Sequence, residues 1–65
     1  MDKLSQRQRD VLYFMCQGYN NKKIASALNI SLNTVRNHID AIFEKLDVNN
    51  RIQAVLVALE AGWVE

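Results

Sequence analysis

Apolar residues in this chain recur every three or four positions rather than every second one, a spacing that puts them on one side of helices and argues against strands. Four such segments read out, and no proline interrupts them. The first is expected over about 6–17. It opens at Ser5 with Gln8 three residues on, a pair able to form a capping box in which each side chain satisfies the other residue's backbone N–H. Val11, Leu12, Met15 and Tyr19 follow at helical spacing, and Gly18 stands where a left-handed terminator is wanted. The second segment, about 22–28, is capped by Asn20 or Asn21 and turns Ile24, Ala25 and Leu28 to one side. Asn29, of the residue type that best tolerates the left-handed region without being glycine, ends it. Ser31 caps the third, 32–46, whose Val35, Ile39, Ile42, Phe43 and Leu46 form one apolar stripe. After the polar connection from Asp47 to Asn50, the fourth, about 50–61, is capped by Asn49 or Asn50 and stops at Gly62. The expected fold is all-α, a four-helix bundle in one domain spanning 1–65.

The middle pair has a recognisable geometry. A short helix, a turn of three or four residues and a longer helix make a helix-turn-helix, whose second helix can lie in a DNA major groove. Ala25 is small enough for a close crossing, and Leu28, Ile30 and Val35 form the wedge that sets the angle. Away from that wedge, the third helix begins with Asn33, Thr34, Arg36 and Asn37, all hydrogen-bonding residues. Arginine suits guanine and asparagine suits adenine, while hydroxyls and amides also serve phosphates. Lys22 and Lys23 sit at the start of the preceding helix, where their ammonium groups and the positive end of the helix dipole can face phosphate together. On pattern alone, a generic bundle with a polar surface competes with this reading.

Composition removes other classes. With 49% hydrophobic and 23% charged residues the chain should fold. At 65 residues it has a thin core, burying about 60% of its unfolded surface, so help from a partner is plausible. The uninterrupted apolar run Val11–Cys16 is far shorter than the roughly 20 residues a membrane span needs, and a cytoplasmic protein without membrane attachment is expected. A single cysteine, Cys16, and a single histidine, His38, exclude an internal disulfide and a zinc module. The glycines, Gly18 and Gly62, form no phosphate loop, and neither a catalytic pocket nor a small-molecule or cofactor site is expected in so small a core. Net charge is only +1, but the span from Asn21 to Ile39 holds Lys22, Lys23 and Arg36 and no acid. The electropositive region is therefore central.

Several stretches together resemble one family. They are Leu4–Leu12, Gly18–Ala25, Ile30–Ile39, Ile42–Leu46 and Asn50–Val55, and in unbroken order they are similar to the LuxR/FixJ/GerE-type helix-turn-helix domain. The resemblance implies a DNA-binding output domain of a bacterial transcriptional regulator. Such a domain usually follows a receiver or ligand-sensing domain and is usually dimeric on DNA. Carried over by position, it puts Thr34, Arg36, Asn37 and Asp40 on the groove side of the recognition helix and Lys22, Lys23, Lys45 and Arg51 near phosphates. With the residue chemistry added, Asn33, Arg36, Asn37 and Asp40 are the base-contact candidates. Thr34 joins Lys22, Lys23, Lys45 and Arg51 as a phosphate candidate. The chain departs from the pattern at Gln6, usually proline, and at Gln8, usually a glutamate that is often ion-paired. Asn29 and Asp47 stand where glycine is frequent, so both are expected in the left-handed region. Asp40 is acidic where some relatives carry lysine, and so either accepts from a cytosine amino group or turns away from the phosphates.

The fourth helix is apolar over about twice the arc that a surface helix needs. Ala54, Val55 and Ala58, with Ala61 as a further candidate, suit packing on the domain itself. The surplus, Ile52, Leu56, Leu59 and Trp63, is the candidate homodimer interface. For Trp63 there is a second role, covering the open end of the core. Cys16 and His38 read as structural, and Tyr13 and Tyr19 as partly buried on the first helix. Two alternatives remain at this point: a helical module that docks a protein through the same apolar helix, and a sigma-factor-like element that binds RNA polymerase.

Overall fold

The computed structural model describes residues 3–64 and contains four helices: α1 (Gln6–Cys16), α2 (Asn21–Leu28), α3 (Leu32–Leu46) and α4 (Arg51–Glu60). Each bound lies within one residue of the expected one. Every helix starts on a side chain that accepts from the backbone N–H three residues on. Ser5 Oγ takes Gln8 N–H at 3.2 Å, Asn20 Oδ1 takes Lys23 N–H at 2.8 Å, Ser31 Oγ takes Thr34 N–H at 3.0 Å and Asn50 Oδ1 takes Gln53 N–H at 2.9 Å. At Ser5 the box is complete, because Gln8 Oε1 accepts from Ser5 N–H at 3.0 Å. These caps satisfy N–H groups that the first turn of a helix leaves without partners.

The four helices also stop in one way. Gly18, Asn29, Asp47 and Gly62 all have positive φ, at 85°, 55°, 56° and 74°. The next residue in each case donates its N–H back to a carbonyl five positions earlier: Tyr19 to Phe14, Ile30 to Ala25, Val48 to Phe43 and Trp63 to Ala58, at 3.0–3.1 Å. This is the Schellman ending, and its usual companion is an apolar pair across the same turn. Tyr19, Ile30, Val48 and Trp63 are accordingly all half-buried against the core. Tyr19 stacks on Phe14 with ring centroids 4.9 Å apart. Each helix therefore uses its last turn twice, to satisfy carbonyls and to aim one hydrophobic side chain inward.

The core is built from Leu4, Val11, Leu12 and Met15 ahead of and along α1, Ile24 and Ala25 of α2, Val35, Ile39 and Ile42 of α3, and Ala54 and Ala58 of α4. Leu4, which no helical period marks, is 4% exposed. The pairs α1–α3, α2–α3, α1–α4, α3–α4 and α1–α2 pack together, whereas α2 and α4 have no close backbone approach. α1 and α3 thus form the centre, with α2 and α4 on separate flanks. Two expectations need correcting. Ala61 is exposed, because the helix ends one residue earlier and the Schellman turn carries it outward. Tyr13 is 49% exposed, because it lies on the opposite side of α1 from Val11 and Met15.

Candidate nucleic-acid interface

Residues Asn29–Ser31 join α2 to α3, with Asn29 left-handed and Ile30 pinned by its bond to Ala25. Ala25 is 8% exposed and Val35 fully buried, with Leu28 and Ile30 packed beside them. The wedge expected from the sequence is therefore in place, and it determines which side of α3 faces outward. Val35, Ile39 and Ile42 point into the core; Asn33, Arg36, Asn37 and Asp40 are exposed on the other side, over the first two turns and into the third. Among the described residues none of these four side chains has an internal hydrogen-bond or ion-pair partner. The polar face consists of an arginine, two carboxamides and a carboxylate, which together donate and accept at the edges of bases.

The groups nearer the rim are held more firmly. Thr34 is half-buried, its Oγ1 2.8 Å from Ser31 Oγ, so the hydroxyl belongs to the cap of α3. Lys22 and Lys23 are exposed on the first turn of α2, which contains no acid. Lys23 Nζ lies 4.2 Å from the centroid of the Tyr19 ring, a cation–π contact that holds the ammonium beside the helix N-terminus. Lys45, in the last turn of α3, donates to Gln8 Oε1 at 2.9 Å. The resemblance implied a glutamate, often ion-paired, at Gln8; here a neutral amide accepts from the lysine.

Arg51 differs from the lysines. It is half-buried and turned inward, with Nη1 donating to Asn21 Oδ1 at 2.6 Å and Nη2 donating to the Tyr19 carbonyl oxygen. The family resemblance implied a cation near phosphate at this position. The structure places this guanidinium between the start of α4 and the turn before α2. Asn21 and Tyr19 lie 30 and 32 residues away from Arg51, and no local pattern marks them as its partners.

On α4, Ile52 is 73% exposed, Leu56 50% and Leu59 46%, forming one outward apolar strip. Trp63 is not part of an open face: it is half-buried against the core and borders surface clefts with Tyr13 and Val64. His38 is half-buried on α3. Burial raises the Cys16 thiol pKa above its usual 9.0. No group of three or more His, Cys, Asp or Glu among the described residues could hold a metal ion. No helix among them is long and apolar enough to cross a membrane.

Comparison with known proteins agrees with this geometry. The family model described as "Bacterial regulatory proteins, luxR family" matches residues 2–58. The chain is 45% identical over 62 residues to the transcriptional regulatory protein DegU of Brevibacillus brevis, covering 95% of this chain and 26% of that protein. To the transcriptional regulatory protein DesR of Bacillus subtilis it is 47% identical over 60 residues, covering 92% of this chain and 30% of that protein. It is 37% identical over 62 residues to the response regulator protein VraR of Staphylococcus aureus, covering 95% and 30%. It spans between a quarter and a third of the length of these curated relatives. The solved structure titled "Structure of Transcription factor, GerE" superimposes with a TM-score of 0.87 at 39% identity, covering 95% of this chain and 92% of that one. With its four helices, its α2–α3 turn and these relatives, the chain belongs to the luxR family of bacterial regulatory proteins, as their helix-turn-helix domain.

Proposed function

We propose that this domain binds double-stranded DNA in a sequence-selective way, as the output part of a cytoplasmic transcriptional regulator, with α3 in the major groove. The supporting observation is the division of α3 into a buried face and an exposed polar face whose side chains have no internal partners. Exposed side chains without internal partners are free to exchange their water for the edges of bases. Asn33, Arg36, Asn37 and Asp40 are assigned to base edges. Lys22, Lys23, Thr34 and Lys45 are assigned to phosphates on either side of the groove. The relatives described as transcriptional regulators, and the structural neighbour described as a transcription factor, support the same reading.

The exposed strip Ile52, Leu56 and Leu59 favours pairing of two domains through α4, which fits a regulator reading two half-sites about one helical turn apart. Selection of duplexes from a random library, followed by binding titrations at several salt concentrations, tests the proposal. Affinity for the selected duplex should fall linearly on a log–log plot with salt, as counterions are released. Arg36→Ala should relax base preference at one position of the half-site, whereas Lys22→Ala should weaken all duplexes alike and flatten the salt slope. Equal effects of the two substitutions would falsify the assignment of roles. A domain that captures no duplex but still self-associates through α4 would instead be a protein-docking module.

A further inference from the structure

We infer that Arg51 is a positioning residue for DNA binding rather than a phosphate contact: it ties the start of α4 to the turn that presents Lys23. The inference rests on the DNA-binding reading above. Its geometric basis is a continuous chain of contacts. The Arg51 guanidinium donates to the Tyr19 carbonyl oxygen and to Asn21 Oδ1, with the latter bond at 2.6 Å. The Tyr19 ring stacks on Phe14 of α1 and carries Lys23 Nζ on its other side, 4.2 Å from the centroid. Asn20, between the two acceptors, caps α2 by taking Lys23 N–H. One arginine therefore holds both ends of the Tyr19–Asn21 segment, and that segment positions both the N-terminus of α2 and the ammonium of Lys23.

Among the described residues, no other side-chain hydrogen bond joins α4 to this segment. α2 and α4 do not approach each other through their backbones, so the guanidinium spans a gap that helix packing leaves open. Two separate acceptors also require a fork. Arginine spreads its donors over two terminal nitrogens in a rigid plane, whereas the three donors of a lysine ammonium radiate from one atom and do not reproduce that fork. Both guanidinium nitrogens that Arg51 uses are turned toward neutral protein oxygens, on a side chain that is half-buried. Arg51 is followed directly by Ile52, the most exposed hydrophobic residue of the α4 strip, so the strut begins beside the proposed pairing face.

The experiment compares the 65-residue protein with its Arg51→Ala, Arg51→Lys, Lys23→Ala and Arg51→Ala/Lys23→Ala variants. Each is titrated with the selected duplex at a temperature where circular dichroism shows all of them fully folded. Arg51→Ala and Arg51→Lys should weaken binding to every duplex by the same factor, on the order of fivefold to tenfold. Lys23→Ala should cost less in the Arg51→Ala background than in the wild type, because the unsupported ammonium has already lost its placement. Amide exchange at Tyr19 and Asn21, measured without DNA, should be faster in both Arg51 variants than in Lys23→Ala. Near-normal binding by Arg51→Lys together with a lowered salt slope for Arg51→Ala would establish a direct phosphate contact and overturn the inference. Normal binding by both Arg51 variants when fully folded would reduce the residue to a structural role and overturn it as well. If the wild-type protein binds no duplex, the DNA-binding reading fails and takes this inference with it. Failure of the inference alone requires normal wild-type binding.

Discussion

Lys45 Nζ reaches across the bundle to Gln8 Oε1 at 2.9 Å, joining the last turn of α3 to the first turn of α1. The same oxygen accepts from Ser5 N–H, so one amide serves as cap and as tether. Replacing the amide by a carboxylate keeps an acceptor for both donors, adds an ion pair with Lys45 and puts negative charge at the positive end of α1. Gln8→Glu should therefore stabilise the fold by about 0.5 kcal/mol at neutral pH, since the pair is largely exposed. Ion pairing holds a carboxyl pKa below its unfolded value. The gain should thus be present above the unfolded pKa and vanish as pH falls through the lower, folded one. Urea unfolding of both proteins at neutral and acid pH, with and without salt, measures this.

Asn29 and Asp47 both hold left-handed conformations, yet they should respond differently to glycine. Asparagine tolerates this region, so Asn29→Gly should change stability by no more than about 0.5 kcal/mol. Asp47 also sets a carboxylate against the negative end of α3, and Asp47→Gly should stabilise by about 1 kcal/mol. Thermal unfolding of the two variants settles the order. A larger gain at Asn29 would contradict the dipole argument.

Leu56 lies in the middle of the exposed strip on α4 and contributes little to the core. Leu56→Asp should leave the unfolding free energy within about 0.5 kcal/mol of wild type, as substitutions at exposed positions commonly do. On a duplex with two half-sites it should lower apparent affinity by on the order of tenfold or more, because the second domain no longer binds with help from the first. Sedimentation of the free and DNA-bound forms would show the change in stoichiometry.

Cys16 sits half-buried at the end of α1, and burial raises the pKa of its thiol. The folded state thus favours the protonated form. The resulting stability is complete below the unfolded pKa and is lost as pH rises through the higher folded value, a window beginning near 9.0. Alkylation by iodoacetamide should be slower in the folded protein than in urea at the same pH, with its rate midpoint displaced to higher pH. Cys16→Ala should remove that part of the alkaline loss of stability.

What could be read from the sequence was whatever depends on neighbours along the chain. Ser5 and Ser31 mark helix starts because a cap bonds three residues away, and the pairs Asn20/Asn21 and Asn49/Asn50 narrowed two more to within one residue. Asn29 marks a stop because left-handed tolerance belongs to the residue itself; for Asp47 the same conformation was implied by the family resemblance. The exposed strip on α4 was legible for the same reason, as a surplus over what one helix can bury. The partners of Arg51 and Lys45 were not legible, since they lie 30 or more residues away and depend on how the flanking helices settle against α1 and α3. The family resemblance placed both cations near phosphates and did not name these partners. Trp63 was ambiguous for a related reason: only the bond from its N–H to Ala58 shows that the chain turns back and lays the ring on the core.

No hydrogen bond or ion pair ties the polar face of α3 to the rest of the bundle among the described residues: Asn33, Arg36, Asn37 and Asp40 are exposed, while Val35, Ile39 and Ile42 anchor the helix. On the DNA-binding reading proposed above, folding and base recognition then fall to different residues of one element. Such a helix can be rewritten toward a new operator, one exposed position at a time, without drawing on the small reserve of stability that 65 residues provide. On that same reading, a thin scaffold of this kind serves many promoters: its exposed α3 residues are interchangeable and its architecture is not.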